Sequence, residues 1–319
     1  MDRINWGIIG CGNVTEVKSG PGFRLATNSD VVAVMRRNRA LAQDYAKRHQ
    51  VDRYYDDAYD LLQDPHVNAV YIATPPGSHE EYALAAIARG LPVYIEKPVG
   101  IDLAAARRIA AAVSAAGVRA CVAHYRRRLP AFVAVKQWLT EGRIGRVRHA
   151  ELRLWKDAPK ENAGWRLDPA LSGGGHFHDL APHQLDILLY YFGEPVRVTG
   201  TSTGRDPRIA DQVRGEILFP GGVLFNGSWN FTAPAGKEED ICVLTGDAGT
   251  IRFHFFSDFH LAELETAAGT EHFSFDMPAN VQALLIAEVA QYFRGRGVNP
   301  SSVEDAVKGM QMIEQLLGQ

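Results

Sequence analysis

In the first third of the chain the hydrophobic positions form short, nearly continuous apolar runs, separated by stretches of helical period. The runs at 5–10, 31–35, 69–73, 92–96 and 120–123 predict strands, and 39–49, 78–89 and 103–116 predict the helices between them. Strands that are apolar at every position need cover on both faces, which intervening helices supply, so the pattern predicts a parallel βαβ sheet. Beyond residue 123 the period changes. Val223, Phe225, Trp229 and Phe231 alternate with Asn226, Ser228 and Asn230, as in a strand with one buried face. Pro220-Gly221-Gly222 turns into that strand from a run ending at Phe219. Further strands are predicted at 146–155, 196–203, 241–245 and 250–256, and helices at 130–140, 181–192, 280–294 and 303–317. The chain therefore reads as α/β in two domains. A parallel domain spans 1–123, and a domain built on a large, mostly antiparallel sheet spans 124–319, with no flexible linker between them.

A length of 319 residues suits two such domains. Acids and bases nearly balance, 37 against 34, which points away from nucleic acid as the main partner. The local run Arg126-Arg127-Arg128 reads as a solvated or paired face. Cys11, Cys121 and Cys242 are scattered and show no paired spacing, so neither a disulfide frame nor a thiolate metal site is expected. The N-terminus enters a strand directly, without a signal pattern, and no apolar run approaches the ~20 residues of a membrane helix. No membrane partner and a reducing, cytoplasmic location are the expectation.

Gly10-Cys11-Gly12-Asn13-Val14-Thr15 follows the first strand and opens a helix. Glycine permits a tight turn and lets backbone approach a pyrophosphate, which the first helical N–H groups can bind. Gly10, Gly12, Asn13 and Val14 are therefore candidate dinucleotide contacts in an N-terminal Rossmann domain. Thr15 stands where the fingerprint has its third glycine. The second strand ends in Arg36-Arg37-Asn38-Arg39, with no acid before Asp44. An acid there would bond a ribose 2′-hydroxyl and repel a 2′-phosphate, whereas arginine forks a phosphate. Arg36 and Arg37 thus favour NADP over NAD. The alternative is that they are solvated at the start of a helix, with NAD as the cofactor.

Two further strand ends carry Ala73-Thr74-Pro75-Pro76-Gly77-Ser78-His79 and Glu96-Lys97-Pro98, and a later segment reads Gly173-Gly174-Gly175-His176-Phe177-His178-Asp179-Leu180-Ala181-Pro182-His183. As a set with the glycine turn, these resemble the Gfo/Idh/MocA oxidoreductases over nearly the whole chain. The resemblance implies a Rossmann domain, an open-faced antiparallel α/β domain, a nicotinamide cofactor and sugar or cyclitol substrates. It implies Lys97 as the active-site lysine, with Asp179 and His183 as its partners. It places Thr74, Pro75, His79 and Glu96 along the cofactor, with Trp165 and Arg166 near the nicotinamide. His176 and His178 stand where apolar or aromatic residues would be expected.

The residues support that chemistry independently. Ligands of open parallel sheets bind beyond the carboxyl ends of the strands, where Gly10, Gly12, Arg36, Thr74 and Lys97 fall. A lysine there can hold a substrate oxygen as charge develops on it. The alternative is a surface lysine before a proline turn. Asp179 and His183 are four apart and share a helix face. Imidazole is the natural proton carrier near neutrality, and a carboxylate can orient it. The reverse assignment, Lys97 as proton donor and His183 as orienting group, stays open. Asp179 also reads as an N-cap, since Pro182 belongs in a first turn and sets the helix start near 179, and His183 also reads as a buried structural histidine. Asp186 reads as a structural partner for backbone or arginine. Tyr125, Arg126, His176 and His178 are candidate contacts for a polyhydroxylated substrate.

The resulting expectation is an NAD(P)-dependent dehydrogenase or reductase acting on a CH–OH carbon of a small sugar or polyol. Three alternatives are a redox-cycling glycosidase or lyase, an enzyme with a metal on His176, His178, Asp179 and His183, and a non-catalytic cofactor-binding regulator. No metal is the expectation. A homodimer or homotetramer through the C-terminal sheet is expected, because the apolar face of Val223, Phe225 and Trp229 needs cover. The domain's own helices are the alternative cover.

Overall fold

A computed structural model describes residues 2–158, 164–206 and 208–318. The chain divides into two compact units, Met1–Tyr125 with Pro278–Val307, and Arg126–Met277 with Lys308–Gln319.

The first unit contains β1 (Ile4–Ile9), α1 (Asn13–Val17), α2 (Gly20–Leu25), β2 (Ser29–Met35), α3 (Arg39–Arg48), β3 (Arg53–Tyr55), α4 (Ala58–Gln63), β4 (Ala69–Ile72), α5 (His79–Ala88), β5 (Val93–Ile95), α6 (Leu103–Ala116) and β6 (Ala120–Val122). Its six strands are all parallel, in the order β3-β2-β1-β4-β5-β6. That is the order of a Rossmann sheet. The strand residues Ile8, Ile9, Val70, Ile72, Val93 and Ile95 are all fully buried, as runs apolar on both faces require. β3 has only three residues, each half-buried, and its pattern carries no prediction of a strand.

The second unit contains α7 (Pro130–Thr140), β7 (Val147–Asp157), α8 (Pro169–Ser172), α9 (Gly175–Phe192), β8 (Arg197–Thr203), β9 (Gln212–Phe219), β10 (Val223–Ala233), β11 (Glu239–Gly246), β12 (Gly249–Phe253), β13 (Leu261–Thr266) and β14 (Gly269–Ser274). Its eight strands run in the order β14-β13-β12-β11-β7-β10-β9-β8. β7 and β10 are parallel and every other pair is antiparallel. The period-two reading holds along β10, where Val223, Phe225, Trp229 and Phe231 are buried. Their cover comes from within the unit. Phe177 of α9 meets Trp229 edge-on at 5.2 Å, and the Trp229 indole donates to Gln184 Oε1 at 2.6 Å. The apolar face therefore belongs to this unit's own core.

The chain ends with α10 (Ala283–Phe293) and α11 (Val303–Leu317). Residues 278–307 pack with the first unit, although they follow the second sheet in sequence. Phe293 packs at 5.5 Å against Trp6 of β1 with the rings tilted by 38°, and the Val122 N–H donates to the Ser301 carbonyl at 3.0 Å.

Candidate active site

At the end of β1 the backbone turns at Gly10 with φ +95°, and a Cβ there would meet Thr74 N at 2.8 Å. Only glycine tolerates both the dihedral and the approach. Gly10 N and Cys11 N both donate to Met35 O, at 2.9 and 3.0 Å, which locks the turn to the end of β2. Thr15 accounts for the missing third glycine. Fully buried, its hydroxyl accepts from Gly12 N at 3.0 Å and donates to Gly12 O at 2.8 Å. A Cβ added to Gly12 would find open space, with only Gly10 O within 4 Å, at 3.9 Å. Among the described residues no acceptor is bonded to the N–H of Asn13 or Val14. These features fit a dinucleotide pyrophosphate: a close backbone approach, open space and free amide donors.

Arg36 and Arg37 follow β2, are exposed, and form no ion pair among the described residues. Nearby acids are committed elsewhere. Asp44 binds Arg48 at 2.8 Å, and Asp56 binds Arg39 at 3.1 Å.

β4 neighbours β1 and β5 neighbours β4, so the glycine, Thr74 and Lys97 turns follow one another along one sheet edge. His79, fully buried, joins these two turns. Its Nε2 lies 2.7 Å from Thr74 O and its Nδ1 2.9 Å from Pro98 O. Burial lowers its pKa, the two facing carbonyls oppose that shift, and the ring holds the turns from behind. Ser78 Oγ donates to Thr74 Oγ1 at 2.9 Å, and Thr74 and Pro75 are half-buried. Glu96 is buried, whereas Lys97, half-buried, precedes a cis Pro98.

In the second unit, α9 begins at Gly175 and carries Pro182 inside it. The helix therefore does not start near 179, and Asp179 is not an N-cap. The sharp turn through Gly173 and Gly174 starts it a turn earlier, and the ring of Pro182 removes one N–H from the interior. Asp179, in the second turn, is buried and accepts from Arg166 Nε at 2.8 Å. Arg166 in turn stacks over Trp165, with Cζ 4.6 Å from the ring centroid. His183, one turn on and buried, meets Phe256 at 5.9 Å and 69°.

Phe256 is a neighbour of the candidate His183 that no motif announced. It also lies under the Arg126 guanidinium at 4.6 Å, and Arg126 donates to Phe255 O through Nε at 3.1 Å and Nη2 at 2.7 Å. Asp240 of β11 holds this turn. Its carboxylate accepts from the backbone N–H groups of Phe255, Phe256 and Ser257, at 3.2, 2.5 and 2.7 Å. The signal available in sequence was only an aspartate opposite the end of a strand. Arg127 and Asp186 form a buried bidentate pair, at 3.0 and 2.6 Å, as the structural reading of Asp186 expected.

Arg126 itself is buried, and the remaining substrate candidates are buried or half-buried as well. Tyr125 is buried. His176 is half-buried against Phe231 at 5.6 Å, and its pKa is lowered by burial. His178 packs on Gly174, where a Cβ would meet its Nδ1 at 2.1 Å, and burial lowers its pKa to about 4. The described residues contain no group of three or more His, Cys, Asp or Glu that could hold a metal ion. Among them no helix is long and apolar enough to cross a membrane.

Comparison with known proteins agrees with this architecture. Residues 4–124 match the family described as "Oxidoreductase family, NAD-binding Rossmann fold", and residues 132–252 match the "GFO/IDH/MocA C-terminal domain". An oxidoreductase of Formosa agariphila is 41% identical over 99% of both chains. The chain belongs to the Gfo/Idh/MocA family. As a member it is an oxidoreductase with an NAD-binding Rossmann domain. A 1,5-anhydro-D-fructose reductase of Ensifer adhaerens is 28% identical over 95% of this chain and 92% of its own. A solved levoglucosan dehydrogenase, in complex with NADH and levoglucosan, shares the fold with TM-score 0.86 at 22% identity, covering 98% of this chain and 96% of that one.

Proposed function

We propose that this Gfo/Idh/MocA oxidoreductase moves a hydride between a nicotinamide dinucleotide, NADP in preference to NAD, and a hydroxyl-bearing or carbonyl carbon of a sugar, polyol or cyclitol. The reading is carried by one observation. Adjacent strands β1, β4 and β5 bring the open glycine turn, the Thr74 turn and the Lys97 turn to a single sheet edge. The exposed arginines after β2 support a 2′-phosphate. Relatives named for an anhydrofructose and for levoglucosan support the substrate class.

The bound nicotinamide supplies the hydride acceptor or donor. Gly10, Gly12, Asn13 and Val14 hold the pyrophosphate, and Thr74, Pro75, Trp165 and Arg166 line the cofactor. His79 and Glu96 act from behind, fixing the turns that face it. Lys97 bonds the reacting oxygen of the substrate and stabilises its developing negative charge. His183 takes the hydroxyl proton in oxidation and returns it in reduction. Asp179 orients that imidazole and, with Arg166, keeps its carboxylate paired. Arg126 meets substrate hydroxyls, with Phe256 as an apolar wall beside it.

The second sheet mediates a homodimer or homotetramer through its outer surface. There Glu151, Arg153, Arg214 and Glu216 are among the residues lining a groove of about 600 Å³, and a balanced set of charges suits a self-complementary contact.

The test is a panel of sugars, polyols and their keto forms with both reduced and oxidised cofactors, following the near-ultraviolet band of the reduced nicotinamide. Lys97→Ala is expected to lower kcat by about 100-fold or more. The double change Arg36→Ala with Arg37→Ala is expected to raise KM for NADP by about tenfold or more and leave that for NAD nearly unchanged. Full turnover by Lys97→Ala would remove the mechanism, and equal effects on both cofactors would remove the NADP preference.

A further inference from the structure

Gln282 lies outside both family matches, 4–124 and 132–252, and no motif marks it. The structure buries it in the first unit, 1% exposed, at the N-cap of α10. Both ends of its side-chain amide are engaged. Nε2 donates to Glu96 Oε1 at 2.6 Å, and Oε1 accepts from the Tyr94 phenol at 3.3 Å. The same Glu96 oxygen accepts from the Tyr71 phenol at 2.6 Å, and the other accepts from the backbone N–H of Lys97 at 3.2 Å. The backbone N–H of Gln282 donates to Lys18 O at 3.2 Å, so the same residue also touches the chain just after α1.

A buried carboxylate is tolerated only when donors meet its oxygens. Here three donors converge on the residue immediately before Lys97, at the carboxyl end of β5. The Tyr71 and Tyr94 rings stack at 5.2 Å, so neither phenol can swing away without disturbing the core. Burial and the neighbouring Glu96 hold the Tyr71 phenol far above its ordinary pKa, so it stays a donor. If the Gln282 donor is lost, the carboxylate must shift toward its remaining partners. The Lys97 backbone, bonded to its second oxygen, then shifts as well.

We propose that Gln282 is a positioning residue for Lys97, acting through Glu96. This rests on the reading of Lys97 as the group that meets the substrate oxygen. Misplacement of a catalytic group by about 1 Å can cost on the order of 100-fold in rate.

The experiment measures kcat, substrate KM and the pH profile at saturating cofactor, with cofactor affinity from reduced-nicotinamide fluorescence and folding from thermal melting. Gln282→Met keeps the length of the side chain and removes the donor. It is expected to lower kcat by about tenfold or more, with KM and cofactor affinity within about twofold. Gln282→Glu should behave differently. While protonated, the introduced carboxyl donates as the amide did. Two carboxyls in contact raise one pKa, so kcat should approach wild type on the acid side and fall as pH rises. Tyr71→Phe removes the other donor to the same oxygen. Combined with Gln282→Met it should lower kcat by less than the product of the separate effects. Should Gln282→Met not fold, the pH profile of Gln282→Glu decides. Gln282 variants that follow the wild-type kcat at every pH, and lose only melting temperature, would reduce Gln282 to a structural role. If Lys97→Ala is inactive while they do so, this inference alone fails. If Lys97→Ala keeps full turnover, the reading of Lys97 fails first and takes this inference with it.

Discussion

Histidines show how much one side chain's role depends on its surroundings. His183 and His178 are five residues apart on α9, both buried, yet His183 meets the Phe256 ring whereas His178 packs on Gly174. Burial lowers the pKa of His178 to about 4, below the value it has in an unfolded chain. Between those two values the unfolded state binds the extra proton, so stability is complete above about pH 6.5 and is lost as pH falls toward about 4. The full loss from this group is at most about 3 kcal/mol. His79 and His176 are shifted in the same direction and add to it. Urea midpoints should therefore fall between about pH 7 and pH 5, and His178→Leu should flatten that fall. A pH-independent midpoint would contradict the burial argument. Asp179 teaches the complementary lesson. Its type and its spacing to His183 were legible in the sequence, but its partner Arg166 was not, because thirteen residues separate the two in the chain.

At the scale of elements, periodicity located most strands and helices but not their ends. The run at 250–256 predicted a longer strand than β12, which stops at Phe253. The ladder gives way there because the Asp240 carboxylate takes the backbone N–H groups of Phe255, Phe256 and Ser257. β3, β13 and β14 escaped prediction. β3 has three half-buried residues, and β14 lies at the sheet edge with mostly exposed side chains, so neither carries an apolar pattern. The junction of α11 with the second sheet has a specific steric basis. Gly200 and Gly215 are paired neighbours on β8 and β9. A Cβ on Gly200 would meet Leu316 O at 2.2 Å, and one on Gly215 would meet Leu316 Cδ2 at 2.1 Å. Gly200→Val should displace that helix end and destabilise the protein by about 1–3 kcal/mol or more. Leu316→Ala, which empties the same contact, should cost about 2–5 kcal/mol. Chemical denaturation measures both, and wild-type stability for Gly200→Val would mean that the helix end does not depend on this contact.

At the scale of the molecule, the units are not successive halves of the chain. Residues 278–307 belong with the first unit because Gln282, Phe293 and Ser301 complete its core and its hydrogen bonds. The proposed assembly uses the outer surface of the second sheet, whose groove carries charged side chains, unlike the buried row of Val223, Phe225 and Trp229. Glu216→Arg would put a third positive charge beside Arg214 and Arg153 in that groove. Light scattering coupled to gel filtration should show a wild-type oligomer and a variant shifted toward monomer. A wild-type monomer at tens of micromolar or above would end that proposal.

The amino-acid sequence by itself determined the two sheet types, the glycine turn and the candidates Lys97, Asp179 and His183. Each is a local matter: hydrophobic period, backbone freedom, or the chemistry of a side chain at a strand end. Tertiary structure alone decided that Gln282 and Tyr71 meet on Glu96, that Phe256 lies against both His183 and Arg126, and that α9 begins before Asp179. Those facts depend on which distant segments become neighbours, and no periodicity records a contact between residues almost two hundred positions apart.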